Sequence, residues 1–308
     1  MTIPGAVGQG DPLSAPCTGD WAALRRPAAT ERGPALHAVL ERRTALVRSS
    51  SSRTSQGQVL AANVDTVVVA VSLAAPLKHA RTERLLALAW ESGAQPVVVL
   101  TKADASADPA AARAQVSAVA PGADVLVTSA VTGQGLDTLA TALTGTIVLL
   151  GPSGAGKSTL GNHLLGEERL ATGAVRDADG KGRHTTAWRE LLPLPGGGVL
   201  LDTPGLRAIG LHDVQEGLEQ TFSEIEHLAQ GCRFTDCAHL SEPGCAVLAA
   251  VEAGEVPRRR LDSYHRLLRE NTYAASRTDA RVRADRDAIK KGITRNLRAT
   301  YQFRERQQ

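Results

Sequence analysis

The chain has 308 residues, enough for about two domains. Its 43% apolar content supports a buried core, and its 3% aromatic content makes that core aliphatic. The net charge is only +3, yet residues 258–308 hold 15 Lys and Arg against 6 Asp and Glu, a local charge of +9 that suits a polyanionic partner. The first twenty residues have neither the basic start nor the apolar centre of a signal peptide. No apolar run approaches the ~20 residues that span a bilayer, so a cytoplasmic chain with no membrane partner is expected.

Residues 1–16, rich in Gly, Pro and Ser, are expected to be disordered. Residues 35–48 (ALHAVLERRTALVR) fit either a helix or a strand, turn and strand. A Ser-rich loop follows. From Asn63 the pattern sharpens. Asp65–Leu73 (DTVVVAVSL) is a β-branched strand, Arg81–Ser92 an amphipathic helix stopped by Gly93, and Pro96–Leu100 (PVVVL) a second strand. Asp124–Ala130 (DVLVTSA), Thr146–Leu150 (TIVLL) and Val199–Asp202 (VLLD) read as further strands, separated by helical text. This alternation predicts an α/β fold with a doubly wound parallel sheet, whose ligands sit at the carboxyl ends of the strands.

Strand TIVLL runs into Gly151, Gly156, Lys157 and Ser158, the pattern G-x-x-x-x-G-K-[ST]. Glycines there let backbone N–H groups turn inward around phosphate oxygens. Lys157 reaches the β- and γ-phosphates, and the Ser158 hydroxyl holds Mg²⁺. The nucleotide-binding set predicted here is Gly151, Gly154, Ala155, Gly156, Lys157, Ser158 and Thr159, with a helix from Thr159 onward.

Three more motifs follow strands. Thr101-Lys102-Ala103-Asp104 resembles the guanine-specificity motif of GTPases, with Thr101 in place of the usual Asn. A carboxylate at Asp104 would accept from guanine N1–H and the 2-amino group together, a pair that adenine lacks. The Lys102 stem would pack on the base, and the short Thr101 hydroxyl is expected to weaken base binding. Ser129 and Ala130, ending the next strand, resemble the second base-binding loop. Asp202-Thr-Pro-Gly205 resembles the switch motif D-x-x-G, with Asp202 acting on Mg²⁺ and the Gly205 N–H sensing the γ-phosphate. Thr185 and Thr186, in Gly180–Trp188, are alternative Mg²⁺-binding hydroxyls. The base motifs precede the phosphate loop, the reverse of the usual order, so the sheet is circularly permuted and the last switch leads straight into the C-terminal region.

That region opens with Cys232, Cys237, His239 and Cys245, spaced C-x₄-C-x-H-x₅-C. Three thiolates and an imidazole make a closed tetrahedral shell, so one structural Zn²⁺ is expected.

Together QVLAANVD, TKAD, GPSGAGKSTL, GRHTT, LDTPGLR and CRFTDCAHLSEPGCAV resemble the circularly permuted RsgA (YjeQ) family, the GTPases that depend on the small ribosomal subunit. The resemblance implies GTP hydrolysis to GDP, stimulated by that subunit late in its maturation, with the subunit and its rRNA as partners of a monomer. It also implies an OB-like segment at 17–60 that lacks its first strands, a permuted GTPase domain at 61–222, and a zinc-binding helical domain with a basic tail at 223–308. Leu206 stands where many GTPases carry a water-orienting glutamine, and the family resemblance offers His184 as the catalytic substitute. Two rival readings are a GTP-switched zinc and RNA-binding scaffold, and a permuted GTPase of large-subunit assembly.

Overall fold

The computed structural model describes residues 13–26, 33–49, 57–171, 189–202 and 214–278. Four strands come first: β1 (Ala22–Arg25), β2 (Ala35–Val39), β3 (Ala45–Ser49) and β4 (Gly57–Ala62). Residues 35–48 therefore resolve as strand, turn and strand, but the two strands are not partners. β2 pairs antiparallel with β1, and β3 pairs antiparallel with β4. The turn between them is tied elsewhere, because the Arg42 guanidinium donates to both carboxylate oxygens of Asp20, at 2.6 and 2.8 Å. These β-hairpins fit the expected OB-like segment.

The rest is an α/β sandwich. Six strands, β5 (Thr66–Ser72), β6 (Gln95–Thr101), β7 (Asp124–Val127), β8 (Thr146–Leu150), β9 (Glu190–Pro193) and β10 (Val199–Asp202), form one sheet in the order β7-β6-β5-β8-β10-β9. All neighbours are parallel except β9, an antiparallel edge strand. The Val-rich runs of β5 and β6 suit strands buried on both faces. Val67 and Val69 face one core with α1 (His79–Glu91) and α2 (Pro109–Ser117), while Val68 faces the other with α3 (Leu136–Ala142) and α4 (Lys157–Leu165). Asp108 caps α2 by accepting from Ala111 N–H at 2.9 Å, with Pro109 in the first helical position. Helix α4 starts at Lys157, two residues ahead of the sequence expectation, because Gly156 takes φ +83° and acts as the N-cap.

Four C-terminal helices, α5 (Gln215–Thr221), α6 (Ser223–Ala229), α7 (Ala246–Glu252) and α8 (Arg258–Thr278), join the α1 side of the core through Leu218, Phe222, Val247, Leu261 and Leu267. The junction is close: a Cβ on Gly217 would stand 2.0 Å from the Ala87 carbonyl, so only glycine fits where α5 crosses α1. It also buries charge. Glu83 of α1 is 0% exposed and accepts from Arg260 at 3.0 Å and Arg259 at 3.1 Å, with Ser263 Oγ donating to its second oxygen. Arg260, 2% exposed, also donates to Glu224 and lies 4.3 Å from the Phe222 ring centre. Among the described residues, one cation of the basic C-terminal stretch, Arg260, is thus held in the core rather than facing solvent. No helix among the described residues is long and apolar enough to cross a membrane.

Candidate nucleotide and metal sites

The sheet order reverses between β5 and β8. Residues paired at their carboxyl ends, Ser72 with Thr101, Val69 with Leu150 and Leu100 with Val127, bring the loops after four parallel strands to one edge. Ligands bind at such a switch point in open α/β sheets. The phosphate loop occupies it. Gly151, at φ +145°, would place a Cβ 2.6 Å from the Ala70 carbonyl, so the loop crosses β5 in contact with its backbone. Lys157 Nζ donates to the carbonyls of Gly151 (2.8 Å) and Pro152 (2.7 Å), spanning the loop it belongs to. Gly154 and Thr159 are exposed, Gly156 and Ser158 half-buried, and Ala155 buried. Asp202 is half-buried at the end of β10, the parallel neighbour of β8, so Asp202 and Ser158 follow adjacent strands at the same edge of the sheet, and both carry side-chain oxygens of the kind Mg²⁺ takes.

The base-motif residues converge beside this loop. Thr101 is buried, and its Oγ1 donates to the Ala155 carbonyl at 2.8 Å. The hydroxyl that the sequence suggested would serve a base poorly is instead spent on the phosphate loop. Lys102 takes the left-handed conformation, φ +58°, which projects an exposed side chain from the strand end. Ser129 Oγ donates to Asp104 Oδ1, and Ala103 N–H bonds the Thr128 carbonyl at 3.1 Å, so the two base loops are joined to each other. Asp104 and Ala130 remain exposed, and the site offers a fixed carboxylate beside an exposed turn. His184, Thr185, Thr186, Gly205 and Leu206 lie outside the described residues.

The Cys232, Cys237, His239 and Cys245 donor atoms all fall within 4.8 Å of one another. Cys232 Sγ is 3.8 Å from Cys245 Sγ and 3.6 Å from His239 Nδ1, and that nitrogen is 3.4 Å from Cys245 Sγ. Zinc bonds of about 2.3 Å to sulfur and about 2.0 Å to nitrogen at tetrahedral angles put donors roughly 3.5–3.8 Å apart. The four residues fit a zinc ion in their chemistry, and Cys232, His239 and Cys245 fit it in spacing as well, with Cys237 within 4.8 Å of them. The local fold builds the set deliberately: His239 takes φ +55°, and Cys245 caps α7 by accepting from Leu248 N–H at 3.4 Å. Burial alone would raise the Cys232 thiol, but N–H donors from Val247 and Ala246 and the neighbouring thiols hold it below the ordinary value. Glu242 braces the loop: N–H groups of Ser241, Glu242, Leu240 and Ala238 hold its carboxyl down at about 2.

Sequence reasoning found the loops and the four residues that cluster as Cys232, Cys237, His239 and Cys245. It missed the Ser129 side chain as partner of Asp104, and it missed Glu83. The available signal for Glu83 was a carboxylate within the apolar stripe of α1, three and four residues before Leu86 and Ala87.

Known proteins agree with this geometry. The profile of the RsgA GTPase family matches residues 39–212. A small ribosomal subunit biogenesis GTPase RsgA of Streptomyces avermitilis is 60% identical over 288 residues, covering 92% of this chain and 77% of that protein. Its namesake in Methanosarcina acetivorans is 42% identical over 288 residues, covering 91% and 78%. Among solved structures, YjeQ from Thermotoga maritima matches with a TM-score of 0.60 at 27% identity, covering 82% of this chain and 83% of that one. YloQ, a circularly permuted GTPase, matches at 0.59 and 26% identity, covering 87% and 84%. With its phosphate loop following its base loops in chain order, this chain belongs to the RsgA GTPase family and is a circularly permuted GTPase.

Proposed function

We propose that this GTPase acts in biogenesis of the small ribosomal subunit, hydrolysing GTP to GDP and phosphate when the maturing subunit stimulates it, late in assembly. The observation that carries the nucleotide reading is the buried Thr101–Ala155 bond, which holds a base-reading motif and a phosphate loop at one switch point. The ribosomal reading rests on relatives of that name at 60% identity.

In this reading, backbone N–H groups of residues 151–156 cradle the phosphates, with Ser158 and Thr159 opening α4 beneath them. Lys157 exchanges its loop carbonyls for β- and γ-phosphate oxygens. Asp104, oriented by Ser129, accepts from guanine N1–H and the 2-amino group, with the Lys102 stem against the base and the Ala130 backbone at the O6 edge. A bound Mg²⁺ would neutralise phosphate charge, with Ser158, Asp202 and one of Thr185 or Thr186 as its holders. Gly205 N–H senses the γ-phosphate. His184 orients the attacking water, since apolar Leu206 cannot. Zinc at Cys232, Cys237, His239 and Cys245 has no open position and serves structure alone. The chain works as a cytoplasmic monomer, and its C-terminal cations meet rRNA phosphates.

The test is hydrolysis of GTP by the purified chain with and without small ribosomal subunits, with ATP as control. Stimulation confined to GTP supports the reading. Hydrolysis unaffected by subunits sinks the ribosomal part, and equal use of ATP sinks the base assignment.

A further inference from the structure

A cavity of about 330 Å³ opens between the loop after β5, the first turn of α1 and residues 152–155 of the phosphate loop. Among the described residues, Asp104, Ser129, Lys157 and Ser158 do not line it, while Lys102 and residues 152–155 do, so it adjoins the nucleotide site and shares one wall with it. Its walls are more apolar than polar, and Leu77 and Leu85 are the largest apolar side chains that line it. Three cations, Lys78, Arg81 and Lys102, stand around it, and no Asp or Glu among the described residues lines it. None of the three forms a salt bridge within the described chain. Like charges gathered round an apolar hollow repel one another, and a bound anion relieves that repulsion.

The back wall is fixed. Thr82 lines the cavity, and the next residue, Glu83, is held from behind by Arg260 and Ser263. A wall that need not be ordered on binding keeps the entropic cost of binding low. The volume lies at the small end of the roughly 300–1,000 Å³ that organic ligands occupy.

We propose that this cavity is an effector site for a small organic anion, one acidic group on an apolar body. The cations take the acidic group, and the Leu77–Leu85 wall takes the body. An RNA backbone, polar along its length, has no part that matches those apolar walls. Residues 152–155 and Lys102 belong to both this site and the nucleotide site, so occupancy of one changes affinity at the other, and the coupling is reciprocal. The proposal rests on the GTPase fold and is independent of the ribosomal role.

The test uses the full chain saturated with Mg²⁺ and GDP, so that the phosphate loop is filled. The probe is 8-anilinonaphthalene-1-sulfonate, followed by fluorescence, against N-phenyl-1-naphthylamine, the same aromatic body without the sulfonate. One sulfonate site per chain is expected, with the uncharged analogue at least about tenfold weaker. The Lys78→Gln/Arg81→Gln variant should lose roughly tenfold in sulfonate affinity and keep its basal GTP hydrolysis. Ala75→Trp, which fills the hollow with every charge intact, should abolish binding. Equilibrium dialysis of labelled GDP should show the probe shifting GDP affinity roughly threefold in the parent chain and not in the double variant. Equal binding by the double variant, equal binding of the uncharged analogue, or several equivalent sites per chain would overturn the proposal.

Discussion

Thr101 Oγ1 donates a 2.8 Å hydrogen bond to the carbonyl of Ala155, and both residues are buried. One neutral bond therefore links the end of β6 to the phosphate loop. Removing the donor strands a buried carbonyl, at a cost of about 1–3 kcal/mol. Thr101→Val, which keeps the shape, should lower unfolding stability by about that amount and speed GDP release. Thr101→Ser should restore most of both. A valine variant matching the parent in urea midpoint and GDP off-rate would show that the bond holds nothing.

Asp104 and Ser129 supply the second link. Ser129 is buried, while the Asp104 carboxylate it donates to is exposed. Ser129→Ala leaves the charge and frees its orientation, so GTP affinity should fall about three- to tenfold with the GTP-over-ATP preference reduced. Asp104→Asn replaces an acceptor with a donor facing guanine N–H groups and should weaken GTP binding by at least about a hundredfold. Competition binding with GTP, ATP and xanthosine triphosphate reads both. The Asn variant should gain for the xanthine nucleotide, whose C2 oxygen is an acceptor, and unchanged ranking of the three would refute the assignment.

Glu83 and Arg260 make the strongest structural prediction. Arg260→Leu leaves a fully buried carboxylate with only Arg259 and Ser263 as hydrogen-bond partners among the described residues, and losing one partner of a buried pair costs about 3–5 kcal/mol. Replacing both, as Glu83→Leu/Arg260→Leu, removes the stranded charge and should recover a substantial part of that loss. Denaturant unfolding of the single and double variants gives the coupling. Strict additivity would mean that the pair does not act as a unit.

These three relationships mark the limit of what the sequence carries. The five parallel strands of the sheet are legible because runs such as TVVVAVS are β-branched and buried on both faces, whereas the short antiparallel edge strand β9 (ELLP) carries no such run and is not legible. The phosphate loop and the four cysteine and histidine ligands are legible because each set lies in one short stretch and the chemistry dictates the spacing. Residues 35–48 show what a local pattern omits. Their strand character is readable, but each strand finds its partner elsewhere, β2 with β1 and β3 with β4. The Thr101–Ala155 bond spans 54 residues and the Glu83–Arg260 bond 177, so both depend on tertiary placement that no local rule encodes.

Metal content tests the cysteine cluster. Spacings of 3.4–3.8 Å among the Cys232, His239 and Cys245 donors match a tetrahedral ion, and Cys237 lies within 4.8 Å of them, so about one zinc per chain should be found in protein purified without chelator. Cys232 and Cys237 pack against the same core as α1, so stripping zinc should lower the melting temperature of the whole chain. Cys245→Ser should lose the metal and also weaken the cap of α7. A chain free of zinc that melts no lower than the loaded one would remove the structural role.

The pH dependence of that region follows from Glu242. Four backbone N–H groups hold its carboxyl at about 2, below the ordinary value of 4.5. The folded state therefore binds fewer protons than the unfolded state between those two values, and stability rises with pH across the window. The contribution is fully present above about 4.5 and disappears as pH falls toward about 2. Glu242→Gln keeps one acceptor oxygen and cannot titrate. It should be less stable than the parent at neutral pH, and the gap between them should close on acidification through this window. Thermal melts of zinc-free parent and variant at matched pH isolate the effect, because ligand protonation then contributes equally to both. A gap that stays constant from neutral pH down to the bottom of the window would mean the four N–H contacts do not favour the charged carboxylate.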